Sequence, residues 1–291
     1  MKSPAFEYHR PETLSDALDL LRDGDSRVLA GGQSLVPMLN FRLLAPGRLV
    51  DINSIAEMRV LEVTSNRIRI GAMVRQRELE RSEQLAQVAP IVREAVRQIG
   101  HVQTRNRGTI GGSLCHLDPS AELPLIALLH DAVLLIESPR GKRKLAASAF
   151  IMGAMNSALE AGEILTEVEF DAWPVGHGYN FCEHSRRAGD FALASVGVLL
   201  TADKSARIDR IAICVGGLAD RPVRLVEAER DLVGKALDEE TASRAASCVS
   251  SLAADGSIHA SAAYKRRIAE TLVRRCLASA WARAGIPGST S

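Results

Sequence analysis

Two glycine-rich turns hold the residue types best suited to chemistry: Ala30-Gly31-Gly32-Gln33-Ser34, leading into Leu35, and Thr109-Ile110-Gly111-Gly112-Ser113. Paired glycines let successive backbone N–H groups point into one hollow, and with no Cβ in the way a ligand can come close. A helix starting just after such a turn adds partial positive charge. Two hollows of this kind facing each other suit a diphosphate, the linkage of a dinucleotide cofactor. Neither turn is a standard nucleotide motif, since Gly-x-Gly-x-x-Gly and Gly-Lys-Ser/Thr are both absent. Taken singly, each is equally readable as an ordinary turn.

The segment Cys115-His116-Leu117-Asp118-Pro119-Ser120-Ala121-Glu122-Leu123-Pro124 follows the second turn directly. Asp118 or Glu122 could accept hydrogen bonds from ribose hydroxyls. Equally, Asp118 or Ser120 could cap a helix whose first turn holds Glu122. His116, Asp118 and His130 have metal-binding side chains at a spacing that matches no ligand pattern. His177, His184 and Ser185 lack the surrounding sequence of a nucleophile elbow. No catalytic acid, base or nucleophile and no metal site is expected. Arg186-Arg187 and Arg266-Arg267 read as solvated faces.

Around these turns the periodicity predicts positioning elements. A helix over 13–22, with Leu14, Ala17, Leu18 and Leu21 on one face, stops at Gly24, and a strand over 27–30 runs into the first turn. A helix over 35–41 tolerates Pro37 in its first turn, and a strand at 49–52 completes a βαβ-like unit. A strand at 67–72 and a helix at 91–99 ending at Gly100 precede the stretch 104–113, which reads as too polar and glycine-rich for a regular element. A buried helix at 123–129, a strand at 132–136 and a turn at 139–142 come next. Beyond 172–176, strands at 196–201 and 208–215 form a hairpin, with helices at 239–252 and 260–283 and a Gly-Ser-Thr-Ser tail. The pattern is α+β.

Composition narrows the partners. Apolar residues are 46% and charged ones 24% of 291 residues, a globular balance. A net charge of +1 and 4% aromatics give no field or stacking platform for nucleic acid. No apolar run reaches the length of a membrane span, and Met1 to Glu7 lack the pattern of a secretory leader, so a cytoplasmic protein is expected. The cysteines at 115, 182, 214, 248 and 276 are too scattered to gather an iron–sulfur cluster from neighbouring positions. Any metal redox centre therefore belongs to another subunit.

Four segments resemble the FAD-binding medium subunits of molybdenum hydroxylases, such as the medium subunit of carbon monoxide dehydrogenase; the flavin domain of xanthine dehydrogenase is a more distant relative. They are Ala-Gly-Gly-Gln-Ser-Leu-Val-Pro-Met-Leu-Asn-Phe-Arg-Leu at 30–43, Arg-Asn-Arg-Gly-Thr-Ile-Gly-Gly-Ser-Leu-Cys-His at 105–116, Asp-Pro-Ser-Ala-Glu-Leu-Pro at 118–124 and Arg-Arg-Ala-Gly-Asp-Phe-Ala at 186–192. The resemblance implies a vanillyl-alcohol-oxidase-type FAD-binding domain of two α+β subdomains, 1–56 and 57–174, then a smaller α+β C-terminal domain, 178–285. It implies that Ala30, Gly31, Gly32, Gln33, Ser34 and Leu35 wrap the FAD diphosphate, with Thr109, Gly111, Gly112 and Ser113 as a second clamp. Asp118 and Glu122 then lie near the ribose and its linkage, Ile99 and Phe191 on opposite faces of the isoalloxazine, and Leu165 beside the ring system. Asn is common in the family where Ser113 stands, Asp at Glu122, and a cofactor-reaching Lys near Glu183.

The same resemblance implies partners: a large molybdenum-cofactor subunit that oxidises the substrate, and a small subunit whose two iron–sulfur clusters feed FAD, as a dimer of heterotrimers. FAD would deliver electrons to an external acceptor, and this chain would bind, orient and tune it. A stand-alone flavin oxidase of the same fold is the alternative, distinguished by turnover without partners. A third reading, a carrier that has lost its flavin, is distinguished by colourless protein after reconstitution.

Overall fold

The computed structural model describes residues 2–22 and 24–284. The Gly-Ser-Thr-Ser tail and the last residue of the 178–285 unit lie outside them. In the N-terminal part, β1 (Glu7–His9), α1 (Leu14–Leu20), β2 (Ser26–Leu29), α2 (Leu35–Asn40) and β3 (Arg48–Asp51) form a parallel three-stranded sheet in the order β1-β3-β2, with helical crossovers. Thr13 starts α1 by accepting the Asp16 N–H at 3.2 Å, and Leu14, Ala17 and Leu18 face the core.

The next stretch carries β4 (Leu61–Val63), β5 (Arg67–Gly71), α3 (Gln76–Arg81), α4 (Glu83–Val88), α5 (Pro90–Gln98), α6 (Val102–Arg107), α7 (Ile110–His116) and α8 (Glu122–Leu129). It continues through β6 (Val133–Ser138), β7 (Gly141–Ala146), α9 (Ala147–Phe150), β8 (Ile151–Gly153), β9 (Asn156–Ser157) and β10 (Ile164–Asp171). Five of these strands make an antiparallel sheet, β4-β5-β10-β6-β7, with β10 at its centre.

The stretch 104–113, expected to be irregular, is instead most of two short helices. Thr109 caps α7 by accepting the Gly112 N–H at 3.0 Å. Arg105, 7% exposed, ties α6 down through an ion pair with Glu80, Nε to Oε2 2.9 Å. The glycines here serve close packing: a Cβ would press Gly108 on Gln76 and Gly111 on Ala72.

The C-terminal part has β11 (Gly178–Ser185), β12 (Ala192–Ala202), β13 (Ile208–Gly216) and β14 (Val223–Arg224) in one antiparallel sheet, followed by α10 (Val226–Leu232), α11 (Glu239–Ser247) and α12 (Ala262–Arg283). The helix expected to run to 252 ends at Ser247 and tightens into a 3-10 turn, Cys248–Ser251. One face of the sheet packs on these helices around Val196, Val198, Ile213 and Leu272. The other rests on the first part: a Cβ at Gly197 would lie 2.9 Å from Leu129 Cδ2, 3.0 Å from Leu125 Cδ2 and 3.7 Å from Ile91 Cδ1. Helix α8 fills this seam, which explains why Leu123 through Leu129 are all buried; a helix apolar all round has no solvent face.

Candidate functional site

The first glycine turn joins β2 to α2. Gly32 takes φ +75°, the left-handed region that side-chain-bearing residues adopt at a cost, and this reverses the chain. Among the described residues, the N–H groups of Gly31, Gly32, Gln33, Ser34 and Leu35 have no acceptor in the protein; the first paired amide is that of Val36, 3.0 Å from the Gly32 carbonyl. Ser34 makes no side-chain capping bond, so its hydroxyl also has unused capacity. Gly31 is buried, Gly32, Ser34 and Leu35 are half-buried and Gln33 is exposed, so these donors, part of them the open start of α2, face a hollow that solvent or a ligand can enter. Their chemistry suits an anion with several oxygens.

The second turn is built differently from the expected second hollow. Its amides are bonded within the protein: Ile110 to the Val74 carbonyl at 3.2 Å, Gly111 to the Ala72 carbonyl at 2.9 Å, and Ser113 to the Thr109 carbonyl at 3.2 Å. Gly111 is glycine for packing, since a Cβ there would lie 2.5 Å from Ala72 Cβ. Gly112 faces the first turn, its Cβ position 3.7 Å from Ala30 Cβ. The second turn is thus a wall closing on a hollow whose donors come from the first.

The two turns meet in space. A Cβ on Gly31 would lie 2.3 Å from the Arg107 carbonyl oxygen and 2.9 Å from Gly108 Cα. A polar network braces the junction. Tyr8 donates to Asp51 at 2.5 Å, Asn53 donates to Asp51 at 2.5 Å and to the Ala30 carbonyl at 2.8 Å, and Arg75 donates to Asn53 Oδ1 at 2.5 Å and to the Arg107 carbonyl. Burial, then repulsion from Arg59 and Arg107, pulls the Arg75 guanidinium below its ordinary pKa. Helices α2 and α7 have only six and seven residues. The positive field here therefore comes from three arginines more than from helix dipoles. Arg59, Arg75 and Asn53 were not singled out from sequence; Arg107 stood inside a recognised motif without an assigned role. These residues fit a dinucleotide diphosphate: donors, positive charge and glycine-cleared space converge on one spot.

A second pair of loops comes together further along. Ile99, half-buried, ends α5, and Arg105 Nη1 holds its carbonyl at 2.8 Å and that of Gly100 at 3.2 Å. Gly189, φ +83°, sits against His101: a Cβ there would lie 2.6 Å from the imidazole Cε1. The loop carrying Phe191, 73% exposed, is thereby placed over the Ile99–His101 loop. Leu165, 3% exposed, lies in the main core on β10, paired with Ile136.

Asp118 and Glu122 flank this region. Neither Asp118 nor Ser120 caps α8, which Ala121 does; Asp118 Oδ1 instead accepts the Ser120 N–H at 2.8 Å in an Asx turn. Burial, then the charges of Glu183 and Asp118, pushes the Glu122 carboxyl up to about 8. Glu183 on β11 is near enough for its charge to act on Glu122; its own carboxyl is pushed up to about 7 by burial, and its Oε2 is buried without a hydrogen-bond partner among the described residues. Ser195, opposite Glu183 across the sheet, has an equally unpartnered buried hydroxyl. His130 is remote, at the far end of α8, its ring centroid 4.4 Å from that of Phe170 and tilted 38° to it.

Comparison with known proteins places this architecture. Residues 4–173 match the FAD binding domain in molybdopterin dehydrogenase, and residues 179–280 the CO dehydrogenase flavoprotein C-terminal domain. The chain is 39% identical over 287 residues to the 6-hydroxypseudooxynicotine dehydrogenase complex subunit alpha of Paenarthrobacter nicotinovorans, covering 98% of this chain and 97% of that one. It is 32% identical over 286 residues to the carbon monoxide dehydrogenase medium chain of Hydrogenophaga pseudoflava, covering 97% of this chain and 99% of that one. The solved structure of carbon monoxide dehydrogenase from Hydrogenophaga pseudoflava, in a form lacking the Mo-pyranopterin moiety of its cofactor, superposes with TM-score 0.95 at 33% identity, covering 98% of this chain and 100% of that one. With an FAD-binding domain over more than half its length and relatives aligned nearly end to end, the chain belongs to the family of FAD-binding medium subunits of molybdenum hydroxylases.

Proposed function

We propose that this chain carries FAD as the electron relay of a molybdenum hydroxylase complex, receiving electrons from iron–sulfur clusters on a small partner subunit and passing them to an external acceptor. The large partner would hold molybdenum and oxidise the substrate, with two such trimers pairing in a cytoplasmic assembly. By this reading the functional units are subdomains 1–56 and 57–174 and a C-terminal domain 178–285. The observation that carries it is the run of five unpaired amides, Gly31 to Leu35, beside the Arg59, Arg75 and Arg107 cluster. When bound, FAD supplies the electron-accepting and electron-donating chemistry.

The protein's own part is to bind and orient. Ala30 to Leu35 hold the diphosphate, and Gly112 and Ser113 close over it while Thr109 caps the helix that carries them. Gly111 seats that helix on Ala72. Asp118 and Glu122 address the ribose and its linkage. Ile99 and Phe191 bracket the ring, with Leu165 backing the site from the core. The matched relatives are named as dehydrogenase or carbon monoxide dehydrogenase subunits, which supports a complex over a lone oxidase.

The test is purification of the chain from its native host under mild conditions. The expected result is a yellow-brown complex with one large and one small partner, whose flavin absorbance bleaches when the substrate of the complex is added. A chain that purifies alone and turns over an organic substrate at full rate would overturn the reading. Within it, Phe191→Ala is expected to keep FAD bound but loosen its ring. One lost aromatic contact, about 0.5–1.5 kcal/mol, weakens binding roughly two- to tenfold. Flavin fluorescence should change with it, and an unchanged spectrum would remove Phe191 from the ring's surroundings.

A further inference from the structure

We propose that Cys182 and Cys276 form a reversible oxidation site, in which peroxide converts the two thiols to a disulfide tying helix α12 to edge strand β11. The sulfurs lie 3.0 Å apart, with the Cys276 S–H donating to Cys182. A disulfide needs about 2.0 Å, so the bond forms with a small approach of two side chains and no rearrangement of the fold. Asn180, itself buried, donates its side-chain amide to Cys182 at 2.9 Å and to Cys276 at 3.2 Å. Donors aimed at sulfur favour the thiolate, which is the reactive form.

The other cysteines lack this arrangement. Burial pushes Cys115 up to about 12, and Cys214 and Cys248 are raised chiefly by burial. Cys182 is held down at about 7, first by the hydrogen bond from Cys276 and then by that from Asn180, against the effect of burial. Access is also asymmetric. Cys182 is half-buried on β11, an edge strand, whereas Cys276 is fully buried behind it. An oxidant reaches Cys182 first, and Cys276 is already in place to resolve it.

The chemistry balances in two steps. The Cys182 thiolate attacks one oxygen of hydrogen peroxide, the O–O bond breaks, and hydroxide leaves to become water, with sulfur oxidised to the sulfenic acid. Cys276 sulfur then attacks Cys182 sulfur; the S–O bond breaks, the S–S bond forms, and the hydroxyl departs as water with the Cys276 proton. Two thiols and one peroxide give one disulfide and two waters. Cys182 faces α12, while its neighbour Glu183 faces the α8 seam. The bond thus immobilises the strand that presents Glu183 and leads into the Phe191 loop.

The test treats the full chain, with FAD bound, with hydrogen peroxide, blocks it with N-ethylmaleimide and maps its peptides. A peptide pair joined through Cys182 and Cys276, an intact mass lower by two hydrogens and reversal by dithiothreitol are expected. Without peroxide at pH 7, Cys182 should label on the order of ten times faster than Cys248. Cys276→Ser should leave Cys182 as a sulfenic acid that dimedone captures, and Cys182→Ser should leave Cys276 unoxidised. The proposal fails if no linked peptide forms while Cys182 is over-oxidised, or if Cys182 labels no faster than Cys248.

Discussion

Gly112→Val is expected to strip FAD from a chain that still folds, at a cost of about 1 kcal/mol for displacing the Thr109 cap, whereas Gly111→Ala is expected to damage the fold before it affects the cofactor. The two glycines are neighbours on α7 and look alike in sequence, yet they face opposite ways. The Cβ position of Gly112 looks across to Ala30, with Thr109 Oγ1 at 2.9 Å its only tight neighbour. The extra valine methyls would enter the space beside the unpaired amides of Gly31 to Leu35. Losing one or two hydrogen bonds to a charged group, each about 1.5–3 kcal/mol, weakens FAD binding roughly ten- to ten-thousandfold. The measurements are the flavin-to-protein absorbance ratio after purification and the melting temperature of the FAD-free chain.

A Cβ on Gly111 meets Ala72 Cβ at 2.5 Å, Ala72 oxygen at 2.8 Å and Ala72 Cα at 3.0 Å, and backbone cannot rotate aside. Helix α7 must lift off the sheet, with an overpacking cost of about 1–3 kcal/mol and a melting temperature lower by several degrees. It would lose flavin only as a consequence. Full flavin content in Gly112→Val would show that the space beside Ala30 is not where the cofactor binds. An unchanged melting temperature in Gly111→Ala would mean that α7 is not seated as described.

That pair also marks how far the sequence could be read. The first glycine turn, the β12–β13 hairpin and the buried character of Leu123–Leu129 follow from local pattern, and the structure contains each. The span 104–113 misled because glycine content argues against a helix when tertiary contacts are ignored. Here Gly111 trades helix propensity for contact with Ala72, and buried Arg105 anchors the preceding helix on Glu80. Strand β11 was missed because Asn180, Cys182, Glu183 and His184 give it no apolar alternation; its neighbours β12 and α12 make it a strand. Arg59 and Arg75 carry no motif of their own. Only the meeting of β3, β5 and α6 puts them beside Arg107. Glu122 and Glu183 come together for a similar reason: one starts the seam helix, and the other stands on the sheet face turned toward it.

The carboxyl pair leads to the second large effect. Between about pH 6.5 and 8 the FAD-free wild type is expected to lose stability relative to Glu122→Gln, the gap widening as pH rises. Glu122 moves from an ordinary 4.5 to about 8, and Glu183 from 4.5 to about 7. In that interval the folded chain holds protons that the unfolded chain has released. Stability must then fall as pH rises, by up to about 1.4 kcal/mol per pH unit for each proton so held. Other groups act with opposite sign. His130, driven down to about 3 by burial, and His177, lowered by burial, make stability rise with pH on the acid side of 6.5. Cys182, lowered from 9.0 to about 7, makes it rise between those values. The difference between wild type and Glu122→Gln cancels these contributions, because neither histidine nor Cys182 faces Glu122. The amide keeps the size of the neutral acid and cannot ionise, so the variant should be more stable than wild type at pH 8 and similar near pH 5. Denaturant midpoints across this range read the effect directly. Parallel pH profiles for the two proteins would mean that Glu122 ionises normally, and the half-buried acid pair at the seam would then have to be abandoned.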